Sequence, residues 1–275
     1  MSTSDLTTQS QERRGGDSRG SLVVVGTGIR SVAQTTIESR AAMEQADRLL
    51  YLVADPITKA WIRKLNPRHE SLEDCYSEDL RRIDSYRQMI ARTLAYVRAG
   101  EHVCMALYGH PGVFVYPSHK AIAEAREEGF EAEMLAGISA EDCLFADLGI
   151  DPADFGCQSF EATDFLVRRR VFDTTSHLVL WQIGVIGEIG YRPKQRFHEQ
   201  GLRVLIEHLG EFYPADHPVT VYAAAQYAVC EPSIETCPLN RLMEADISAI
   251  STLYVPPAAP GTTDEEMMRR LGLVK

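Results

Sequence analysis

Four short glycine-containing segments could line a pocket for a small ligand, because each follows an apolar run that is typical of a buried strand. The first is Gly26-Thr27-Gly28, directly after the apolar residues 22–25. The others are 108–114, 137–140 and 182–184, which combine glycine with polar or aromatic side chains. Ligands of open α/β sheets bind at the carboxyl ends of the strands. The spacing therefore predicts a nucleoside-sized pocket, without identifying the nucleoside.

The first glycine segment also suggests a dinucleotide site, but its fingerprint is incomplete. Such a site needs a third glycine or alanine at the sixth position and an acidic residue that ends the second strand. Here Ser31 is at the sixth position, Asp47 precedes the second strand, and Asp55 lies too far beyond it. A tight turn between a strand and a helix explains the two glycines equally well.

In the first half of the chain, strands alternate with the helices that must position these segments. The predicted strands are 22–25, 48–53, 102–107 and 130–135, and the predicted helices are 32–46, 81–99 and 118–128. The helix at 81–99 is the clearest, since its apolar residues fall three and four positions apart. These residues are Ile83, Tyr86, Ile90, Leu94 and Val97. Residues 69–80 are predicted to be irregular.

The second half of the chain contains more strands than helices. Strands are predicted at 158–160, 177–183, 219–224 and 250–255, with one long helix at 196–209. Alternation is typical of a parallel α/β sheet, whereas an excess of strands favours a mixed sheet. We therefore predict an α/β protein with domains at 21–137 and 138–257. A disordered tail at 1–20 and a C-terminal tail with a short helix at 258–275 complete the chain.

Charge and composition argue against several classes of protein. Acidic residues outnumber basic ones by 39 to 28, and a net charge of −11 disfavours nucleic acid or an anionic membrane as a partner. No apolar run approaches the roughly 20 residues that span a bilayer. The N-terminal residues lack the apolar region of a signal peptide. The 6 cysteines form no C-x-x-C pair, which predicts free thiols, a cytoplasmic location and no metal site.

Longer motifs resemble a known family. The Gly26-Thr27-Gly28 opening, the G-x-P-G loop at 109–112 and GISA at 137–140 resemble the tetrapyrrole methylase superfamily. Four longer stretches resemble, more narrowly, the borosin peptide backbone N-methyltransferases. They are YGHPGVFVYPSHKAI (108–122), GISAEDCLFADLGIDP (137–152), QSFEATDFL (158–166) and LWQIGVIGE (180–188). The similarity extends from about residue 21 to residue 257.

The resemblance implies a fold and a cofactor. It implies a parallel-type N-terminal sheet and a mixed C-terminal sheet, with S-adenosylmethionine (SAM) in a cleft between the two domains and S-adenosylhomocysteine as the product. The residues that match the loop at the methionine end of SAM are Tyr108, His110, Val113 and Phe114. Those that match the corner for its amino-acid or ribose portion are Ser139 and Ala140. Those that match positions around the adenosine are Gln182, Tyr222, Ser251 and Thr252.

The resemblance also implies a reaction, the methylation of backbone amide nitrogens in a ribosomally made precursor peptide. The residues matching its catalytic tyrosines and arginine are Tyr76, Arg82 and Tyr86, to which we add Tyr108. An amide nitrogen is a poor nucleophile because its lone pair is delocalised, so a base must take its proton. Tyrosine is a weak base at its reference pKa of about 10, but a neighbouring arginine favours the phenolate.

The sequence itself places Arg82 four residues before Tyr86, so both can lie on one helix face. Our hypothesis is that Tyr86 or Tyr76, polarised by Arg82, takes the amide proton. Arg82 or Tyr108 would then stabilise the charge that develops on the carbonyl oxygen. By pattern alone, however, Tyr86 is a core tyrosine of the apolar stripe and Arg82 is a solvated residue at a helix start.

The C-terminal tail suggests how the substrate is supplied. Only 18 residues follow Pro257, which predicts a precursor on a separate polypeptide. The resemblance implies a homodimer, or a heterotetramer with the precursor, and large aromatic residues provide candidate interface anchors. They are Tyr191, Phe197, Phe212 and Tyr213. Three alternatives remain: a methyltransferase acting on a corrin or other tetrapyrrole, a peptide-binding protein of this fold without turnover, and a nicotinamide-dependent oxidoreductase.

Overall fold

The computed structural model describes residues 19–77, 80–188 and 197–274 and divides into two compact units. Of these residues, unit 1 contains those between 19 and 143 together with 225–231. Unit 2 contains 144–188, 197–224 and 232–274. Most of the predicted disordered tail lies outside the described residues. Gly20, its last residue, is buried, and a Cβ there would lie 1.9 Å from the carbonyl oxygen of Val97.

Unit 1 is built on a five-stranded sheet whose strand pairs are all parallel. Its strands are β1 (Ser21–Gly26), β2 (Arg48–Leu52), β3 (His69–Ser71), β4 (His102–Leu107) and β5 (Glu131–Met134), in the order β3-β2-β4-β1-β5. The predicted parallel sheet is confirmed. The prediction that 69–80 is irregular was wrong at its start, because β3 pairs with β2 and a 3₁₀ turn follows at Glu73–Cys75.

Helices cover both faces of this sheet, as a parallel sheet requires. They are α1 (Ile37–Gln45), α2 (Pro56–Leu65), α3 (Arg82–Arg98) and α4 (Tyr116–Glu127). A fifth helix, α5 (Ala140–Leu148), begins in unit 1 and ends in unit 2. Successive strand residues face opposite sides: Leu49 packs with Met43 of α1, whereas Leu50 packs with Met89 of α3. With both faces buried, the loops at the carboxyl ends of the strands are where polar and aromatic side chains can meet a ligand.

Helix α1 begins later than the sequence predicted. Val32 has a φ of 64°, in the left-handed region that a β-branched residue rarely adopts, so no helix can run from residue 32. The helix starts after Thr36, whose hydroxyl oxygen accepts a 3.0 Å hydrogen bond from the Ser39 amide. That bond satisfies one of the free amides of the first turn.

Unit 2 contains the predicted mixed sheet, which the strand pairing confirms. Its strands are β6 (Cys157–Glu161), β7 (His177–Trp181), β8 (Pro218–Ala223), β9 (Ser233–Pro238) and β10 (Thr252–Val255), in the order β6-β7-β10-β8-β9. Only the β6–β7 pair is parallel among them. Strand β9 was not predicted, because it is a mostly polar strand at the edge of the sheet and lacks an apolar face.

Short helices and turns complete unit 2. They are α6 (Ala162–Val167), α7 (Glu199–Leu209), α8 (Glu265–Arg270) and 3₁₀ turns at Ile183–Val185 and Leu239–Glu244. Tyr213, a predicted interface anchor, is only 3% exposed and belongs to the core, and Phe197 packs against that core. Phe212 is 47% exposed, and Tyr191 lies outside the described residues. In the ranges that the structure describes, no helix has the length and apolarity to cross a membrane.

The division between the units differs from the predicted boundary at residue 138. It falls after Cys143, inside α5, and residues 225–231 belong to unit 1 although they follow most of unit 2 in sequence. A hydrogen bond explains this placement, since the Ser31 amide donates to the Gln226 carbonyl oxygen at 2.8 Å. The spacing of residues along the chain could not predict that residues 225–231 belong to unit 1.

Gly26 is expected to be intolerant of any side chain. A Cβ at this position would lie 2.1 Å from the Gly109 carbonyl oxygen and 2.8 Å from Cδ of Pro111. Gly26→Ala should therefore lower the free energy of unfolding by about 1–3 kcal/mol, through displacement of the loop after β4. Chemical denaturation measures this change. Gly149→Ala is the control: it has a φ of +65° but nothing within 4 Å, so only backbone strain of roughly 1 kcal/mol should appear. Equal losses in the two variants would contradict the steric argument.

Candidate functional site

The candidate site in unit 1 begins where the loops after β1 and β4 pair with each other. The Gly28 amide donates to the Gly109 carbonyl oxygen at 3.3 Å, and the Gly109 amide donates to that of Gly28 at 3.0 Å. Both glycines have positive φ, 72° and 71°, which side chains disfavour. The glycine segment thus has a structural role in joining two loops at the carboxyl edge of the sheet.

Two histidines fix the shape of the loop after β4. The Gly112 amide donates to Nδ1 of His110 at 2.9 Å, and Nε2 of His119 donates to the Gly112 carbonyl oxygen at 2.8 Å. The loop ends at Phe114, which has a φ of 55° and is 48% exposed. A bulky residue in the left-handed region is strained and persists only where its surroundings impose it. The loop is therefore held in one conformation, with an aromatic ring facing outward.

Tyr108 follows β4 directly and is 37% exposed. Its amide donates to the Leu52 carbonyl oxygen at 3.2 Å, which fixes its backbone beside β2. Desolvation raises the pKa of Tyr108 to about 12, although a hydrogen bond with the Gln226 side chain acts in the opposite direction. Near neutral pH the group is consequently a phenol, which donates a proton in a hydrogen bond and does not act as a base.

Three tyrosines form a ring cluster beside α3. Tyr76 meets Tyr86 edge to face, with ring centroids 6.4 Å apart and planes at 72°. Tyr116, the first residue of α4, stacks on Tyr86 at 6.1 Å and 27°. Both contacts are favourable geometries for aromatic pairs. The structure thus brings the predicted residues Tyr76 and Tyr86 together and adds Tyr116, which is 46% exposed.

Arg82 differs from the other arginines near it on α3. Arg81 and Arg87 both pair with Asp84, at 2.9 and 3.0 Å. Arg82 is half-buried, and within the described residues its guanidinium has no hydrogen-bond or ion-pair partner. It lies four residues before Tyr86 on the same helix, as predicted. A partly desolvated guanidinium without a partner is available to bind an oxygen atom of a ligand.

The predicted corner at 137–140 is the start of α5. Ser139 is buried, and its hydroxyl donates to Oδ2 of Asp142 at 2.7 Å, while the Asp142 amide donates to the same hydroxyl oxygen at 3.3 Å. The Ser139 amide also donates to Oδ2 of Asp142 at 2.7 Å, so the two residues form an arrangement that resembles a capping box. The Ser139 hydroxyl is thus engaged by the protein, and the half-buried Ala140 is the first residue of the helix.

In unit 2, the four predicted adenosine residues meet at one end of the mixed sheet. Thr252 is opposite Tyr222 in the β10–β8 pairing, and the Ser251 carbonyl oxygen accepts a 3.2 Å hydrogen bond from the Ile183 amide, next to Gln182. The Tyr222 hydroxyl donates to Asp147 at 2.7 Å. The Ser251 hydroxyl oxygen accepts from the Ser248 amide at 2.9 Å.

Gln182 has a strained backbone, with φ 61° and ψ 38°. Left-handed residues other than glycine are often found at ligand sites, where the strain is offset by the surrounding structure. The hydroxyls of Tyr222 and Ser251 are engaged within unit 2, so their part in a ligand site would be to shape it. The half-buried Gln182 has no such side-chain hydrogen bond within the described residues.

Sequence reasoning missed three residues beside these groups: Tyr116, Gln226 and Asp147. Tyr116 was missed because α4 was predicted to start at residue 118, although the aromatic residue is part of the motif at 108–122. Gln226 and Asp147 bond to Tyr108 and Tyr222, respectively. Both bonds join residues far apart in the chain, so spacing carried no signal for them.

The fold and these loops define a class of protein. The profile of the tetrapyrrole (corrin/porphyrin) methylases matches residues 21–236, and the chain belongs to that family. A solved uroporphyrin-III-C-methyltransferase from Thermus thermophilus superposes with a TM-score of 0.62 at 17% identity, over 87% of this chain and 93% of that one. At this identity the likeness shows the fold alone, and it confirms the predicted α/β class.

Within the family, more similar relatives are fungal. The chain is 44% identical over 265 residues to a "methyltransferase/ribosomally synthesized type I borosin cyclic peptide precursor", cmaMA of Coprinopsis marcescibilis, covering 92% of this chain and 67% of that protein. It is 43% identical over 259 residues to the gymnopeptides precursor gymMA1 of Gymnopus fusipes, whose name has the same form. The latter match covers 93% of this chain but only 61% of the relative's length.

Proposed function

We propose that this chain is a SAM-dependent methyltransferase that methylates backbone amide nitrogens of a ribosomally made peptide. The names of the relatives support the class of reaction and substrate, since they join a methyltransferase to a peptide precursor. The observation that carries the proposal is the arrangement on α3. Arg82, whose guanidinium has no partner among the described residues, lies one turn before Tyr86, and the ring of Tyr86 contacts two other tyrosines.

The residues of unit 1 fit SAM as a cofactor. Tyr108, Phe114 and Tyr116 are 37%, 48% and 46% exposed, so each residue leaves part of its aromatic side chain available to a ligand. Aromatic faces attract cations, and a sulfonium is a cation. In unit 1, the residues that would hold SAM are Tyr108, His110, Val113, Phe114, Ser139 and Ala140. The family resemblance also implies a role at the adenosine for Gln182, Tyr222, Ser251 and Thr252 of unit 2, which stays a prediction. When bound, SAM supplies an electrophilic methyl group.

The remaining chemistry belongs to the side chains around α3. A phenolate oxygen of Tyr86 or Tyr76 accepts the amide proton, and the electron pair of that N–H bond then becomes available on nitrogen. Arg82 binds the carbonyl oxygen as negative charge develops there. Tyr108 remains a phenol and donates a second hydrogen bond to that oxygen.

We further propose that the peptide is accepted in trans and that the active species is a homodimer, or a heterotetramer with the precursor. The names of the relatives describe methyltransferase and precursor as one polypeptide, so a test has to separate the two arrangements. Light scattering measures the assembly with and without peptide, and a monomer would contradict this part of the proposal.

The decisive experiment incubates the purified chain with SAM carrying a deuterated methyl group. One arm adds synthetic peptides rich in valine, isoleucine and glycine; a second contains the chain alone, to detect methylation of itself. Tandem mass spectrometry locates the label. We expect label on backbone nitrogens of the added peptide. Label on side chains of the peptide would overturn the assignment to backbone nitrogens. Label on the chain itself and not on the added peptide would overturn the assignment of a substrate in trans.

A second candidate function rests on the family itself. The matching family is that of corrin and porphyrin methylases, so a third arm of the same experiment adds uroporphyrinogen III. Methylation of the tetrapyrrole and of no peptide would favour this alternative. Peptide binding without any transfer would identify a binding protein of this fold.

Tyr108→Phe is expected to lower kcat for peptide methylation about 10- to 100-fold, because it removes one hydrogen-bond donor to the carbonyl oxygen and keeps the ring. Since the pKa of Tyr108 is about 12, the fold-change should be constant from pH 7 to about pH 10. Steady-state rates at several pH values measure it. A fold-change that grows as pH rises would instead indicate a base, in contradiction to the role as donor.

A further inference from the structure

The segment of unit 2 that follows α6 exposes apolar side chains that the core does not use. Val167, the last residue of α6, is 77% exposed, and Val171 is 96% exposed. Three arginines separate them, so the 167–171 segment reads Val-Arg-Arg-Arg-Val. Isolated apolar residues at a surface are ordinary, but two such exposed valines around a basic run form a combined apolar and cationic surface.

The central arginine of this segment occupies a backbone position that favours glycine. Arg169 has a φ of 46°. Its amide donates to the Leu166 carbonyl oxygen at 3.3 Å, and the Arg170 amide donates to that of Phe165 at 3.2 Å. These two bonds form a Schellman motif, in which glycine is the usual residue at the position of Arg169. The sequence therefore keeps a guanidinium where stability alone would favour glycine.

Among the described residues, Arg169 differs from its two neighbours in its side-chain contacts. Arg168 and Arg170 both donate to the carboxylate of Asp164, at 2.6 and 2.7 Å. The exposed Arg169 has no side-chain partner within the part of the chain that the structure describes. Two paired arginines around one carboxylate still leave a local positive charge, to which Arg169 adds.

A concave surface adjoins the segment. It is a shallow, open depression lined by Glu161, Thr163, Asp164, Val167, Arg168 and Arg170. Its acidic members are already engaged: Glu161 accepts from the Asp164 amide at 2.7 Å, and Asp164 accepts from two arginines. The depression therefore places the apolar side chain of Val167 beside two arginines, each of which keeps further N–H groups beyond those that bind Asp164.

We infer that the 167–171 segment and the adjoining depression form a docking surface for an acidic peptide segment with apolar side chains. Residues 168–170 are three consecutive basic residues in a chain of net charge −11. This surface therefore attracts anionic groups, which the rest of the chain repels. Arginine pairs with carboxylates in fixed, often bidentate geometry. An anionic membrane fits less well, because two valines offer little area and the overall charge opposes approach. The segment belongs to unit 2, and none of its residues is among the proposed methyl-transfer residues.

Fluorescence anisotropy with labelled synthetic peptides tests the inference, without SAM. The probes are an alternating Asp–Val peptide and Lys–Val and Ser–Val peptides of equal length. The full chain should bind only the acidic probe, more weakly as salt increases. Arg169→Gly should weaken this binding at least tenfold while raising the melting temperature by roughly 2–4 °C, since glycine relieves the left-handed strain. If Arg169 had only a structural role, its substitution would not weaken binding while raising the melting temperature.

Two further variants complete the test. Val171→Ser should also weaken binding, whereas Arg203→Gln removes an exposed arginine of α7 in the same unit and should leave binding unchanged. The inference is overturned if the wild-type chain binds none of the probes, binds the Lys–Val peptide equally well, or binds as tightly after Arg169→Gly. Vesicles of phosphatidylserine and phosphatidylcholine form the last arm, and Arg169-dependent binding to them without peptide binding would assign the surface to membranes. None of these outcomes depends on whether the chain methylates peptides.

Discussion

Tyr86→Phe is expected to lower the rate of backbone methylation by about 100- to 10,000-fold, which is the usual contribution of a general base. The substitution removes one oxygen atom and keeps the ring that contacts Tyr76 and Tyr116. No hydrogen bond of the Tyr86 hydroxyl is lost within the described residues, so stability should change little. Single-turnover kinetics with saturating peptide measures the chemical step, and calorimetric titration with S-adenosylhomocysteine should show unchanged cofactor affinity.

Tyr96→Phe is the matched control on the same helix. Its hydroxyl donates to Oε2 of Glu70 at 2.6 Å, and the guanidinium of Arg48 lies 4.3 Å from its ring centroid. Loss of that hydroxyl should cost about 1 kcal/mol of stability and leave the rate of methylation unaltered. If Tyr86→Phe is as active as the wild type and Tyr76→Phe is inactive, the base is Tyr76. If both variants remain active, neither tyrosine removes the proton.

Tyr86 also illustrates why a site can be hidden in a regular pattern. The apolar spacing correctly predicted α3, and it equally predicted a core tyrosine at 86. Both descriptions hold, because Tyr86 packs against the core cluster of unit 1 and also contacts two tyrosines, one of which is 46% exposed. The spacing of apolar residues indicates which side of a helix is apolar. It does not indicate whether the outer end of a tyrosine ring on that side faces protein or ligand.

The strands that sequence predicted best are those in the middle of each sheet. The predicted bounds of β4 agree with the structure at His102–Leu107, since all but its first residue are buried and the apolar run is continuous. The strands β3 and β9 were missed because most of their residues are polar, whereas the edge strands β5 and β6 were predicted from their apolar residues. An edge strand is stabilised by backbone hydrogen bonds with its neighbour, which no local pattern of side chains reports.

Contacts within the candidate site were predictable only when they were local. The relation of Arg82 to Tyr86 follows from helical spacing, and the loop at 108–114 follows from its glycines and proline. By contrast, the bonds of Tyr108 to Gln226 and of Tyr222 to Asp147 depend on how the chain returns after many residues. The conformations of Phe114 and Gln182 were equally hidden, because neither residue type favours a positive φ.

Arg82→Gln is expected to reduce kcat for backbone methylation about 100- to 1000-fold, because it removes a hydrogen-bond donor to an oxygen atom that becomes negatively charged in the transition state. The guanidinium lies in the first turn of α3, where a positive charge is unfavourable to the helix dipole. Arg81 is compensated there by Asp84, whereas Arg82 has no partner in the described chain. Removing the charge should therefore raise the free energy of unfolding slightly, by about 0.3–1 kcal/mol, while activity falls.

This opposite movement of stability and rate is what separates a functional arginine from a structural one. Arg87→Gln serves as the control, because Arg87 is exposed, pairs with Asp84 at 3.0 Å and should contribute nothing to the rate. Arg82→Lys keeps the charge but loses the planar set of donors, so it should recover only part of the activity if a carbonyl oxygen is bound. Full activity in the lysine variant would show that charge alone suffices. A loss of stability in Arg82→Gln, or equal rates in Arg82→Gln and Arg87→Gln, would remove Arg82 from the mechanism.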